Sequence, residues 1–162
     1  LLAKLRWVRP EGIHLTLKFL GETPQPVQPA IERAISNAAV GVAPFEVTLG
    51  KLGTFGSRQS PRVLWLALEG DVVTLTRLQA NVERALAPLG YPSESRPFSP
   101  HLTLARVPPE RARHVVGALD QVIPATKPPR GVVPVDEIAL HKDSHEYIAL
   151  WQARLQHLLS SR

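Results

Sequence analysis

Apolar positions recur along this chain with two periods. Ile13-His14-Leu15-Thr16-Leu17-Lys18-Phe19-Leu20 alternates, which predicts a strand, and Gly21 closes it. Arg6–Val8 and Phe45–Leu49 read as extended, and Arg62–Leu68 as a buried strand. Ile31, Ile35 and Ala38 fall at helical spacing and predict a helix over 24–40. Its prolines, Pro24, Pro26 and Pro29, cluster at the start, where proline is tolerated. Leu75, Leu78, Val82, Leu86 and Leu89 mark the clearest helix, over 74–89. His101–Leu104 is extended again, and Pro108-Pro109-Glu110 opens a helix that runs to about Leu119. Val135–His141 and Tyr147–Arg154 read as a strand pair joined by a polar turn, and Leu1–Leu5 as the last turn of a helix. Loops are expected over Gly50–Pro61, with three glycines, and over Pro124–Pro134, with four prolines.

The pattern repeats itself. His-Leu-Thr-Leu stands at 14–17 and again at 101–104, and each copy leads into a proline-started helix and then a strand (Glu46–Leu49; Glu137–Leu140). The second copy is preceded by the strand at 62–68 and the helix at 74–89, whereas the first is preceded only by Leu1–Leu5. The expectation is that a strand and a helix upstream of Leu1 complete the first copy and are missing from this chain. Two copies predict two similar lobes about a pseudo-two-fold axis, approximately 1–60 and 61–162 and intertwined, within one domain.

Composition narrows the classes. The chain has 162 residues, 44% hydrophobic and 20% charged, which is the balance of a globular protein. It has no cysteine, which removes disulfides, thiolate metal sites and cysteine nucleophiles. No apolar run is long enough to span a membrane, and no signal peptide is visible, so a cytoplasmic protein is expected. Nineteen Lys and Arg against 14 Asp and Glu give a net charge of +5, which favours an anionic partner mildly. The charges are scattered, which argues against a polybasic tail.

The repeated tetrapeptide carries the chemistry. On a strand, residues i and i+2 share a face, so His14 and Thr16 point together, as do His101 and Thr103, with the leucines turned to a core. Two imidazoles can work as a base and an acid near neutral pH. Two hydroxyls can donate hydrogen bonds to phosphate oxygens. Together they are equipment for in-line displacement at a phosphodiester without a metal. A single His-x-Thr on a strand is ordinarily a half-exposed polar face. A duplication, however, has a packing reason to retain the leucines and none to retain His and Thr. A metal site is the weaker reading, since Glu11 is the one acidic residue within three positions of His14 and none lies within three of His101.

At these residues the chain resembles the 2H phosphoesterase superfamily, defined by two His-x-Thr-x motifs 80–90 residues apart; here the separation is 87. Trp7-Val8-Arg9-Pro10-Glu11-Gly12-Ile13-His14-Leu15-Thr16-Leu17-Lys18-Phe19-Leu20-Gly21-Glu22 is similar to the first motif of the bacterial and archaeal RNA 2′,3′-cyclic phosphodiesterases (2′-5′ RNA ligases, LigT-like). Pro61–Trp65 and Pro100–Arg106 fit the same branch. The resemblance implies a bilobal α+β fold with antiparallel sheets lining a central cleft and helices outside. It implies hydrolysis of an RNA terminal 2′,3′-cyclic phosphate to a 2′-phosphomonoester, with His101 as base, His14 as acid, and Thr16, Thr103 and Arg106 holding the phosphate. No cofactor or metal is implied. The partner is RNA with such an end, no membrane is involved, and the expected state is a monomer. An RNA 5′-OH in place of water would give 2′-5′ ligation.

Further candidates are weighed on their own. Lys18 shares the strand face of His14 and Thr16, and either contacts substrate or is simply solvated. Arg62 and Phe55 flank the expected 50–61 loop; Phe55 either stacks a base or anchors the loop. Trp65 reads as core. The rival classes are a phosphodiesterase for small cyclic nucleotides at the same site and a non-catalytic RNA-binding protein, which lacks support from aromatic runs or clustered basic residues.

Overall fold

The computed structural model describes residues 2–128, 130–142 and 148–154. The chain divides into two units, each built from three stretches: 1–15, 48–70 and 100–132 in the first, and 16–47, 71–99 and 133–162 in the second. In place of one boundary near residue 60, the chain crosses between the units five times. The physical reason is that each core collects elements from both copies of the repeat. The class is α+β, as the family resemblance implied.

In the first unit lies most of a five-stranded sheet with the order β1-β4-β3-β2-β5, where β1 is Arg6–Trp7, β2 Phe45–Ser57, β3 Ser60–Gly70, β4 His101–Arg106 and β5 Val132–Val135. β4 pairs antiparallel with both β1 and β3. One face packs on the helix Ala112–Ala125 through a core of Leu5, Leu64, Ala105, Val107, Ala112, Val115 and Leu119. Strand β3 shows the period of 2 clearly: Leu64, Leu66 and Leu68 are buried, and Val63, Trp65 and Ala67 between them are half-buried on the other face.

In the second unit, helix α1 (Gln28–Ala39) and helix α2 (Val72–Leu86) pack with the antiparallel pair β6 (Glu137–Lys142) and β7 (Ile148–Arg154). Ile31, Ile35, Leu78, Val82, Leu86, Ile138 and Leu140 form the core. Asp71 caps α2, its carboxylate accepting the Thr74 N–H at 3.0 Å. Tyr147, the expected start of β7, lies outside the described residues. Helix α3 is the helix Ala112–Ala125 of the first unit, longer at its end than the sequence indicated.

Two expectations are corrected. The first is the loop over 50–61, which is a long hairpin of β2 and β3 turning at Arg58-Gln59. Its glycines are not loop residues. A Cβ on Gly53 would stand 2.4 Å from the Trp65 ring, so that position is kept bare for the indole. Gly56 has φ +108° and a Cβ there would meet the Ser60 carbonyl at 2.5 Å, so it permits the strand to bend into its turn. The second is the strand over 13–20, which reduces to one bridge, Leu15 to Leu102. Beyond it the Leu17 carbonyl accepts from the Gln79 amide at 3.4 Å, and Leu17 and Leu20 pack on the second core.

Candidate active site

Strand β4 presents His101 and Thr103 on the face opposite the core. Thr103 pairs with Trp65 and His101 with Ala67, both on the half-buried face of β3. The register then shifts: Leu64 pairs with Ala105, so Leu104 is an extra residue in β4. This bulge inverts the alternation. On a regular strand Arg106, three residues past Thr103, would face the core. Here Ala105 and Val107 take the core side, and Arg106 pairs with Val63 and Arg6 on the same face as Thr103 and His101.

The first copy of the motif reaches this face through the Leu15–Leu102 bridge. His14 directly precedes the bridging residue, and Thr103 directly follows its partner. The His14 ring is also fixed in orientation: Nδ1 lies 2.8 Å from the Gly12 carbonyl oxygen. A carbonyl can only accept, so Nδ1 carries a proton and donates it, and proton exchange belongs to Nε2. His101 is held by aromatic rings. Phe55 meets it edge to face at 4.8 Å and 87°, Trp65 lies at 6.2 Å and 60°, and Phe55 and Trp65 contact each other at 5.2 Å.

Thus His101, Thr103, Arg106 and Phe55 gather on one face of the first unit, and the Leu15–Leu102 bridge brings the His14 segment alongside β4. Arg62 stands at its edge, where its carbonyl accepts from the Val107 N–H at 2.8 Å. Thr16, half-buried, belongs to the second unit. Lys18 also belongs there, and it is not a solvated cation. Its ammonium donates to Glu83 Oε2 at 2.6 Å and to the Pro92 carbonyl at 2.8 Å, with side chains only 4% and 9% exposed. Burial and pairing give it a structural contact in place of the expected substrate one. Trp65, expected as core, instead shares the His101 face, and its indole N–H has no acceptor among the described residues. The sequence also missed Arg6 and the Gly12 carbonyl, because neither carries a signal without the register of β1 and β4. Among the described residues no three His, Cys, Asp or Glu side chains converge as metal ligands, and no helix is long and apolar enough to cross a membrane.

The chain is similar to several known proteins. A Bacillus subtilis RNA 2′,3′-cyclic phosphodiesterase is 38% identical over 101 residues, 62% of this chain and 55% of that protein. A protein of the same name from Methanothermobacter thermautotrophicus is 32% identical over 124 residues, 74% of this chain and 66% of that protein. The crystal structure of E. coli LigT complexed with 3′-AMP superposes with a TM-score of 0.68 at 26% identity, covering 93% of this chain and 81% of that one. The chain thus spans about half the length of the Bacillus relative. The family model of the 2′-5′ RNA ligase superfamily matches residues 6–146, nearly the whole described chain and both motifs, and the chain belongs to that superfamily.

Proposed function

We propose that this protein hydrolyses the terminal 2′,3′-cyclic phosphate of RNA to a 2′-phosphomonoester by metal-independent acid–base catalysis. The observation that carries the reading is the pairing of the two motifs. The bridge from Leu15 to Leu102 brings the two His-Leu-Thr-Leu copies side by side, although 87 residues separate their histidines. The names of the relatives support the substrate class.

Water attacks phosphorus while His101 takes its proton. The P–O3′ bond breaks, and His14 delivers the proton from Nε2 to the departing 3′-oxygen. The bond from Nδ1 to the Gly12 carbonyl aims that nitrogen in both protonation states. Phe55 and Trp65 limit the rotation of the His101 ring. Thr103 and Arg106 hold the phosphate oxygens, and a fixed positive charge there meets the charge that develops in the transition state. An RNA 5′-OH replacing water would run the same steps towards a 2′-5′ linkage. The protein is read as a cytoplasmic monomer whose partner is RNA with a cyclic end.

The test is an oligoribonucleotide with a 2′,3′-cyclic phosphate end, incubated with EDTA and with the wild type, His14→Ala or His101→Ala. The expected product is a 2′-phosphate end, with each variant slower by about 10²–10⁴-fold, the usual worth of a general acid or base. Retention of the cyclic end by a wild type that still binds the RNA would leave the non-catalytic RNA-binding reading in its place.

A further inference from the structure

Beyond the catalytic face, the first unit has a cavity of about 400 Å³ lined by three arginines, Arg6, Arg62 and Arg106, with Phe55, Val107 and Pro108 among its walls. All three guanidiniums lack an ion pair among the described residues. Arg6 and Arg106 are direct cross-strand partners, and like charges so placed repel one another and destabilise a sheet. Val107 and Pro108 are buried, so one wall of the cavity is apolar and screens the arginines poorly. An anion seated there relieves the repulsion, and the planar guanidinium fork matches phosphate oxygens in a way that an ammonium does not.

None of His14, His101 and Thr103 lines this cavity. With Leu104 bulged out, Arg106 stands two ladder positions from Thr103, about 7 Å along the strand, and about 13 Å from His101. Arg106 can therefore reach towards Thr103, while Arg6, opposite it, and Arg62, beside Val107, stand no nearer to His101. Phe55 links the two places, since its ring meets His101 on one side and lines the cavity on the other.

We infer that Arg6 and Arg62, with Arg106 between them and the histidines, form a second anion subsite that takes the phosphate on the 5′ side of the terminal nucleotide. This rests on the reading that the neighbouring face receives an RNA 3′ end. It makes the protein selective for an oligonucleotide end over a nucleoside cyclic phosphate, which has no such group.

Binding separates the subsite from catalysis. The probes are a nucleoside 3′-monophosphate and the corresponding nucleoside 3′,5′-bisphosphate, titrated calorimetrically into the protein. The bisphosphate is expected to bind on the order of tenfold more tightly at low salt, the sum of a few exposed charge-assisted contacts, with the ratio shrinking as salt rises. Arg6→Ala and Arg62→Gln should each bring the ratio towards one. Lys4→Ala, which removes an equal charge from the same segment outside the cavity, should leave it unchanged. A ratio of one in the wild type, a ratio indifferent to both arginine variants, or an equal loss in Lys4→Ala overturns the subsite. If one arginine variant fails to fold, as a thermal melt reports, the other decides. A protein that prefers the bisphosphate yet leaves cyclic ends intact would sink the phosphodiesterase reading and keep the subsite.

Discussion

Replacing Glu83 with alanine leaves the Lys18 ammonium in a site built for a pair. The carboxylate accepts from Lys18 at 2.6 Å, from the Gln79 amide at 3.1 Å and from the Glu94 N–H at 3.3 Å. After the substitution Lys18 retains only the Pro92 carbonyl among these partners. Removing one member of a buried pair costs about 3–5 kcal/mol, because the remaining charge stays desolvated. Glu83 also lines a groove with Ser93, Glu94 and Arg96, through which water can reach the stranded ammonium, so the lower figure, about 3 kcal/mol, is expected. Replacing both partners by apolar residues of similar length, Lys18→Met with Glu83→Leu, removes the stranded charge and should cost less than about 1 kcal/mol. The assay is urea unfolding of the wild type, Glu83→Ala, Lys18→Met, Glu83→Leu and the double variant, followed by far-UV circular dichroism, and the last three with the wild type give the coupling energy. A Glu83→Ala loss below about 1 kcal/mol, or single losses that simply add in the double variant, would refute the claim that burial makes the pair interdependent.

Three other outcomes follow from the same geometry. A base that must be neutral and an acid that must be charged give a bell-shaped pH dependence of kcat/KM, and a flat profile from about pH 5 to pH 9 would contradict the histidine pair. Gly53→Ala should destabilise the protein by about 1–3 kcal/mol through overpacking against the Trp65 indole and should slow turnover as the ring shifts towards His101; an unchanged melting temperature would contradict it. The Thr74 backbone and side-chain hydrogen bonds hold the Asp71 carboxyl below its usual pKa. A depressed folded-state pKa stabilises above the unfolded value and is lost as pH falls through the folded one. Asp71→Asn should therefore show its stability deficit at neutral pH and converge with the wild type in acid.

Periodicity made the helices legible, because Ile31, Ile35, Leu75, Leu78, Val82 and Leu86 each turn out buried and no tertiary effect competes with their spacing. The same reasoning misread the 50–61 hairpin, because a glycine kept bare for Trp65 and a glycine that merely loosens a loop look alike in one dimension. The two histidines and the threonine of the second motif were visible through repetition. Arg106 was visible only by resemblance, since simple alternation from Thr103 puts it on the wrong face and the bulge at Leu104 that corrects this depends on pairing with β3. Arg6 was not visible at all: its significance lies in standing opposite Arg106, a long-range register that neither segment encodes alone.

The two copies of the motif diverge just after the shared tetrapeptide, and the divergence sorts their cations. In the first copy the residue two past Thr16 is Lys18, which is given up to Glu83 in a buried pair. In the second copy the residue two past Thr103 is Ala105, which the bulge turns into the core, and the cation moves one place on, to Arg106. The first cation is neutralised within the protein and stabilises the chain that carries Thr16. The second has no ion pair among the described residues and stands on the face of His101, where an anionic group can neutralise it. A symmetric duplication with two free cations would bind a phosphate tightly in both its ground and transition states. One fixed cation near one side of the phosphate can instead favour the geometry in which charge accumulates there, which is the difference that accelerates a reaction.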